Sequence, residues 1–153
     1  GINMDALNII GRTKNVVVVG RGKSELENVL EKHAAQQDRV VEAEPTPERG
    51  YFYRSDHFSL AKVGVPMLYA EGGMDHIEHG REWGQAKADE YTANDYHKPS
   101  DEYRDDWDLS GAVEDVELLH AVGTDLANGT SWPNWFEGAE FKAARDASRE
   151  DSE

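Results

Sequence analysis

The chain has no cysteine. That removes disulfides, thiolate metal sites and a cysteine nucleophile, and it leaves the compartment open. Long apolar runs are missing too. None approaches the roughly 18 residues that span a bilayer, and no charged-then-apolar leader opens the sequence. Basic residues are scarce: 16 Lys and Arg stand against 31 Asp and Glu, a net charge of −15. Such a surface repels phosphates and anionic headgroups, so neither nucleic acid nor a membrane is an expected partner. Proline is thin as well, 5 in 153 residues, so each one marks a break rather than a proline-rich linker.

What is present reads as one α/β domain. The opening Gly1-Ile2-Asn3-Met4 is already strand-like, and we expect it to belong to a longer parent chain. Ile2 to Ile10 alternates loosely as a strand, with Gly11 ending it. Val16-Val17-Val18-Val19 is a continuous β-branched run, suited to a strand covered on both faces. Ser24 and Glu27 have capping-box spacing at the start of a helix whose inner face is Leu26, Val29, Leu30, His33 and Ala34. Arg39 to Glu44 is a second strand, and strand–helix–strand over this length is a βαβ-like unit. A short helix from Ser55 or Asp56 to Val63 precedes a buried strand from Val65 to Glu71. His76 to Asn94 is ambiguous between helix and loop. The longest helix starts at Asp108 or Ser110 and runs to Asn128, with Leu109, Val113, Val116, Leu119, Gly123 and Leu126 as its apolar face and Gly129 as its stop. Trp132-Pro133-Asn134-Trp135-Phe136 is an aromatic turn expected to pack back on the body. Residues 140–153 are charged and small, and are expected to be a frayed helix or a disordered tail.

Three stretches carry candidate chemistry. Asn3-Met4-Asp5 places a carboxylate in an apolar strand, which is costly unless it is paired or metal-bound. Tyr53-Arg54-Ser55-Asp56-His57-Phe58 joins a hydroxyl, an acid and an imidazole. Tyr96-His97-Lys98-Pro99-Ser100-Asp101-Glu102-Tyr103 packs a phenol, an imidazole and two acids into a proline-broken loop, the kind of segment that carries ligands at the rim of a scaffold. Histidine with carboxylates suits zinc. Asp5 and His97 are read as metal ligands, and Ser55, Asp56 and His57 as supporting residues beside them. Each also has a plainer reading: Asp5 as a surface-facing strand residue, His97 as an exposed loop histidine, Asp56 as a helix cap. Asp75-His76-Ile77-Glu78-His79 is a weaker metal candidate. Gly20-Arg21-Gly22 lacks the third glycine of a dinucleotide fingerprint, which falls at Glu25. Ser24, Ser55 and Ser100 lack a nucleophile-elbow context.

With those residues in place, the sequence from about 2 to 128 resembles the C-terminal half of the catalytic domain of M28-family zinc aminopeptidases. The likeness rests on Asn3-Met4-Asp5, on Tyr53 to Phe58 with Gly64-Val65-Pro66 after it, on Tyr96-His97-Lys98-Pro99-Ser100-Asp101-Glu102, and on the valine strand followed by Gly20 to Leu26. The resemblance implies a three-layer α/β/α fold of the phosphorylase/hydrolase-like, zinc-peptidase type. Residues 1–139 would be the C-terminal part of that domain, with a partial, mostly parallel or mixed sheet. It implies two zinc ions, with Asp5 and His97 each a ligand and Tyr96 the catalytic donor to a developing oxyanion. The family's upstream His, bridging Asp and general-base Glu would lie before Gly1. The isolated chain is therefore expected to be inactive and to bind zinc partially or not at all. Expected partners are peptide substrates, and the missing N-terminal half or a second copy through an open sheet edge. The family implies a periplasmic or extracellular location. Alternatives are a glutaminyl-cyclase-like zinc acyltransferase, from which Tyr96 leans away, a non-catalytic binding module on the same fold and, last, a nucleotide-binding module.

Overall fold

The computed structural model describes residues 1–150. It is an α/β structure built on a four-stranded mixed sheet, in the order β1 (Ile2–Asn3), β4 (Leu68–Gly72), β2 (Asn15–Val18), β3 (Val40–Ala43). β1 runs parallel to β4 and β2 parallel to β3, while β2 and β4 pair antiparallel. The helices among the described residues are α1 (Leu26–Ala34), α2 (Tyr51–Arg54), α3 (Phe58–Ala61), α4 (Gly80–Asn94), α5 (Ser110–Asn128) and α6 (Lys142–Glu150).

Alternation along the strands divides the interior into two cores, because successive side chains leave a strand on opposite faces. On one face Val16, Val18, Leu68 and Ala70 meet Leu26, Leu30 and Ala34 of α1 and Leu118, Leu119 and Val122 of α5. On the other, Val19, Met67 and Tyr69 meet Phe52 of α2, Ala61 of α3 and Trp135. Helix, sheet and helix-plus-strap make a partial three-layer α/β/α sandwich, as the sequence implied.

Several elements differ from the sequence reading. The opening strand is only Ile2–Asn3, not Ile2 to Ile10. After Asn3 the chain turns away, and the Asn8 side chain closes it by accepting from Ile10 N and donating to Gly11 O. The ambiguous stretch is mostly the fifteen-residue α4. Half of the Ser24–Glu27 capping box forms. The buried Glu27 carboxylate accepts from the backbone N–H groups of Gly22, Lys23 and Ser24, while the Ser24 hydroxyl has no partner. Glu27 thus satisfies the donors left over ahead of the first turn.

Helix α5 has the expected bounds but a different inner face. Ala112, Asp115, Leu118, Leu119 and Val122 are buried, whereas Leu109, Val113 and Val116 are exposed. Two contacts set this rotation. A β-carbon on Gly111 would lie 2.2 Å from Gly11 O, so only glycine lets the helix approach the chain there. Arg39 draws Asp115 and Glu114 inward, at 2.7 and 3.9 Å.

The C-terminal segment straps the second core. Trp135 is buried and its indole N–H donates to Gly64 O at 2.9 Å; Phe136 N donates to Lys23 O. Helix α6 crosses over Gly64, whose missing side chain leaves room for the backbone of Ala144 and Arg145. Of the stretch expected to be frayed or disordered, 142–150 is this helix and 151–153 lie outside the described residues. Trp132, by contrast, is exposed.

Candidate active site

The parallel pairing of β1 with β4 builds the candidate site. Its register places Asn3 opposite Tyr69, so the chain that turns away after Asn3 carries Asp5 past Tyr69 and towards Glu71, two residues further along β4. The Tyr69 hydroxyl donates to Asp5 Oδ2 at 3.4 Å and lies within reach of Ser55 and Glu71. His57 closes the group from α3's first turn. It is 2 % exposed, its ring stands edge-on to Phe52 at 4.5 Å and to Tyr69 at 5.4 Å, and neither ring nitrogen has a hydrogen-bond partner.

The electrostatics follow from burial in an acidic setting. Burial pushes the Glu71 carboxyl up to about 7, and Asp5, Glu44 and Asp115 push the same way. Burial raises the Tyr69 phenol, with Glu71 and Asp5 adding to it. Burial also lowers the His57 imidazole below its ordinary value, against the pull of Asp5 and Asp56. The result is an imidazole that resists protonation, a phenol that holds its proton and a carboxyl that exchanges its proton near neutrality, all beside Asp5. Perturbed groups of this kind gather at functional sites.

Glu71 also makes a stability prediction. Its folded value, about 7, lies above the unfolded value of 4.5. A raised acid favours the fold fully below the unfolded value and loses that contribution as pH climbs through the folded one. Glu71→Gln is therefore expected to stabilise the protein by on the order of 2 kcal/mol at pH 8 and by almost nothing at pH 4. Urea unfolding at the two pH values measures it, and an equal effect at both would refute it.

The residues singled out in the sequence fall into two groups. Asp5, Ser55 and His57 gather around Tyr69. Ser55 Oγ donates to Tyr51 O at 2.9 Å, while Asp56 is exposed on the turn before His57. Tyr96 and His97 lie on the exposed turn after α4, stacked on each other at 3.9 Å, and His97 takes a left-handed backbone with φ 59°. The Tyr91 ring lies beside them, 6.1 Å from that of Tyr96. Glu71 and Tyr69 escaped the sequence reading. The one signal for them was an acid closing the apolar run from Val65. His76 and His79 stack on each other and on Trp83 just ahead of α4.

A family model described as Peptidase family M28 matches residues 1–121. This chain belongs to peptidase family M28. Comparison with curated proteins and with solved structures gave no match. Membership brings a peptidase-type hydrolase function, and it spans both residue groups above, from Asp5 through His97. M28 peptidases are generally zinc-dependent. Among the described residues no three histidine or acidic groups come together as a metal set. Asp5 spends an oxygen on Tyr69, and His97 faces Tyr96 on the turn beyond α4.

Proposed function

We propose that this chain is the C-terminal part of an M28 zinc aminopeptidase domain, acting on peptide N-termini when the upstream half is present, and that the 153 residues alone turn over no peptide. The observation that carries this reading is the β1–β4 pairing, which brings Asp5, just past the end of β1, to a tyrosine and a near-neutral carboxyl at the end of the sheet. Open α/β sheets bind their ligands outside strand ends. The family likeness assigns Asp5 and His97 as zinc ligands and Tyr96 as the donor to the oxyanion. Asp5 is held by Tyr69, which reaches it from the neighbouring strand, and Tyr96 and His97 stack on each other on the turn after α4. What the chain's own residues do is hold Asp5 through the Tyr69 hydroxyl and bury the His57 ring behind it.

One second reading is a non-catalytic module that keeps the peptidase fold for binding, favoured by the lack, among the described residues, of three histidine or acidic groups placed as a metal set. Two measurements decide between these readings. The isolated chain, given zinc and an aminoacyl-anilide, is expected to show no turnover above buffer and less than one zinc per chain. Turnover that disappears in Asp5→Ala would overturn the inactivity. Restoring the upstream half is expected to yield hydrolysis that Asp5→Ala and His97→Ala both abolish. If the complete domain is inert, the binding-module reading takes its place.

A further inference from the structure

Arg12, Arg21, Arg39, Arg81 and Arg104 each hold a carboxylate, at 2.7 to 3.2 Å. Arg49 and Arg54 hold none among the described residues. Both turn instead to one side chain, Tyr51, the first residue of α2. Arg49 Nη1 donates to Tyr51 Oη at 3.3 Å. The Arg54 guanidinium carbon lies 5.8 Å from the centre of the Tyr51 ring, within cation–π range. Glu48 and Asp89 attract Arg49 only from beyond ion-pair distance, and Asp56, two residues after Arg54, makes no pair with it.

The three groups have donors to spare. A guanidinium has no acceptor. The Tyr51 oxygen already accepts from Arg49, which leaves its O–H to give. Arg49 and Arg54 are exposed, and Tyr51 is partly buried against the second core, so the ring is a fixed platform between two charged heads. Such a set suits an oxyanion, which takes charge-assisted bonds from guanidinium N–H groups and a short one from a hydroxyl. The molecule at large does not attract anions, since its net charge is −15. An anion held at this point is held by these local donors.

Their position says which anion. Tyr51 and Arg54 begin and end α2. The next residue, Ser55, donates to Tyr51 O at 2.9 Å and lies within reach of the Tyr69 hydroxyl, which donates to Asp5. The donors thus stand on the element that leads into the candidate active site. A peptide that presents its N-terminus there has one obligatory anion to place elsewhere, its C-terminal carboxylate. We propose that Arg49, Arg54 and the Tyr51 hydroxyl form a subsite for the carboxylate of the peptide substrate, and that the site therefore selects short peptides with a free C-terminus. The identity of the ligand rests on the aminopeptidase reading; the existence of the anion subsite does not.

The test is NMR titration of the 153-residue chain in about 0.15 M salt, read on the arginine Nε–H resonances. The probes are acetyl-alanyl-alanine, its C-terminal amide and inorganic phosphate. The free acid is expected to shift Arg49 and Arg54 and to bind at least about tenfold more tightly than the amide. Arg49→Gln and Arg54→Gln, both at exposed positions, should each weaken it about fivefold. A pair elsewhere, Lys14→Gln/Lys98→Gln, should weaken it less than about twofold. Equal affinity for acid and amide would overturn the proposal, as would equal losses from the arginine variants and the control pair. Phosphate binding more tightly than the free acid would overturn the assignment to a carboxylate. In the complete domain, kcat/KM for a free dipeptide should exceed that for its amide about tenfold, and Arg49→Gln/Arg54→Gln should bring the ratio near one. A ratio of one in the unaltered domain would overturn the substrate selection. An inert complete domain would remove the aminopeptidase reading and the substrate with it, while the titration by itself still decides whether the anion subsite exists.

Discussion

Arg39→Met is expected to cost about 3–5 kcal/mol, because it strands a buried carboxylate. Arg39 is 4 % exposed, between Asp115 at 3 % and Glu114 at 7 %. Its Nη2 lies 2.7 Å from Asp115 Oδ1 without the alignment of a hydrogen bond, so that contact is an ion pair; the same nitrogen donates to Thr13 Oγ1 and Asn15 O. Glu114 keeps a second cation, Arg12, which donates to its Oε1 at 2.7 and 2.9 Å. Asp115 has no second cation. Its carboxyl is already held above the usual carboxylate range by burial, which outweighs the pull of Arg39. Removing Arg39 pushes it higher still. A raised acid stabilises the fold below its unfolded value and loses that contribution as pH rises through the folded one, so the deficit of the variant should widen from pH 4 to pH 8. Adding Asp115→Asn to Arg39→Met should recover most of the loss. Urea unfolding of the single and double variants measures this. A cost under about 1 kcal/mol at pH 8 would mean that water or another cation compensates Asp115.

Trp135→Ala is the second large effect, again about 3–5 kcal/mol, from cavity formation in the second core. The residue lies outside the span matched to the M28 family, yet it is among the largest fully buried side chains. It fills the space between Val19, Phe52, Ala61 and Tyr69, packs on Phe141 with ring centroids 5.1 Å apart, and bonds Gly64 O. Trp135→Phe keeps most of the packing but leaves the Gly64 carbonyl unpaired. It is expected to cost about 1–3 kcal/mol. A truncation after Asn128 should be at least as destabilised as Trp135→Ala. If that truncated chain unfolds at the same urea concentration as the whole one, the strap contributes nothing to the fold.

The limits of sequence reading show in particular elements. The bounds of α5 were legible because Ser110, Gly129 and a helical period mark them. Its rotation was not, since the periodicity of Val113 and Val116 competes with an acid that a distant arginine draws inward. Half of the Ser24–Glu27 box was legible as spacing, but which partner would use it was not. Asp5 was visible as a polar intruder in an apolar run, and His57 as part of a short polar motif. Glu71 was passed over because Asp5, far from it in the chain, reaches it only through the pairing of β1 with β4.

Composition and local pattern settled the α/β class, the acidic surface, the absence of thiol chemistry, the existence of most helices and strands, and a likeness that the M28 match supports. These properties depend on residues near one another in the chain, where backbone sterics and hydrophobic period act. Tertiary structure alone decided that β1 pairs parallel with β4, that Arg39 turns α5, and that Trp135 closes the second core. Each of those depends on groups far apart in sequence, and only the shared requirement to fill space and satisfy buried charge brings them together.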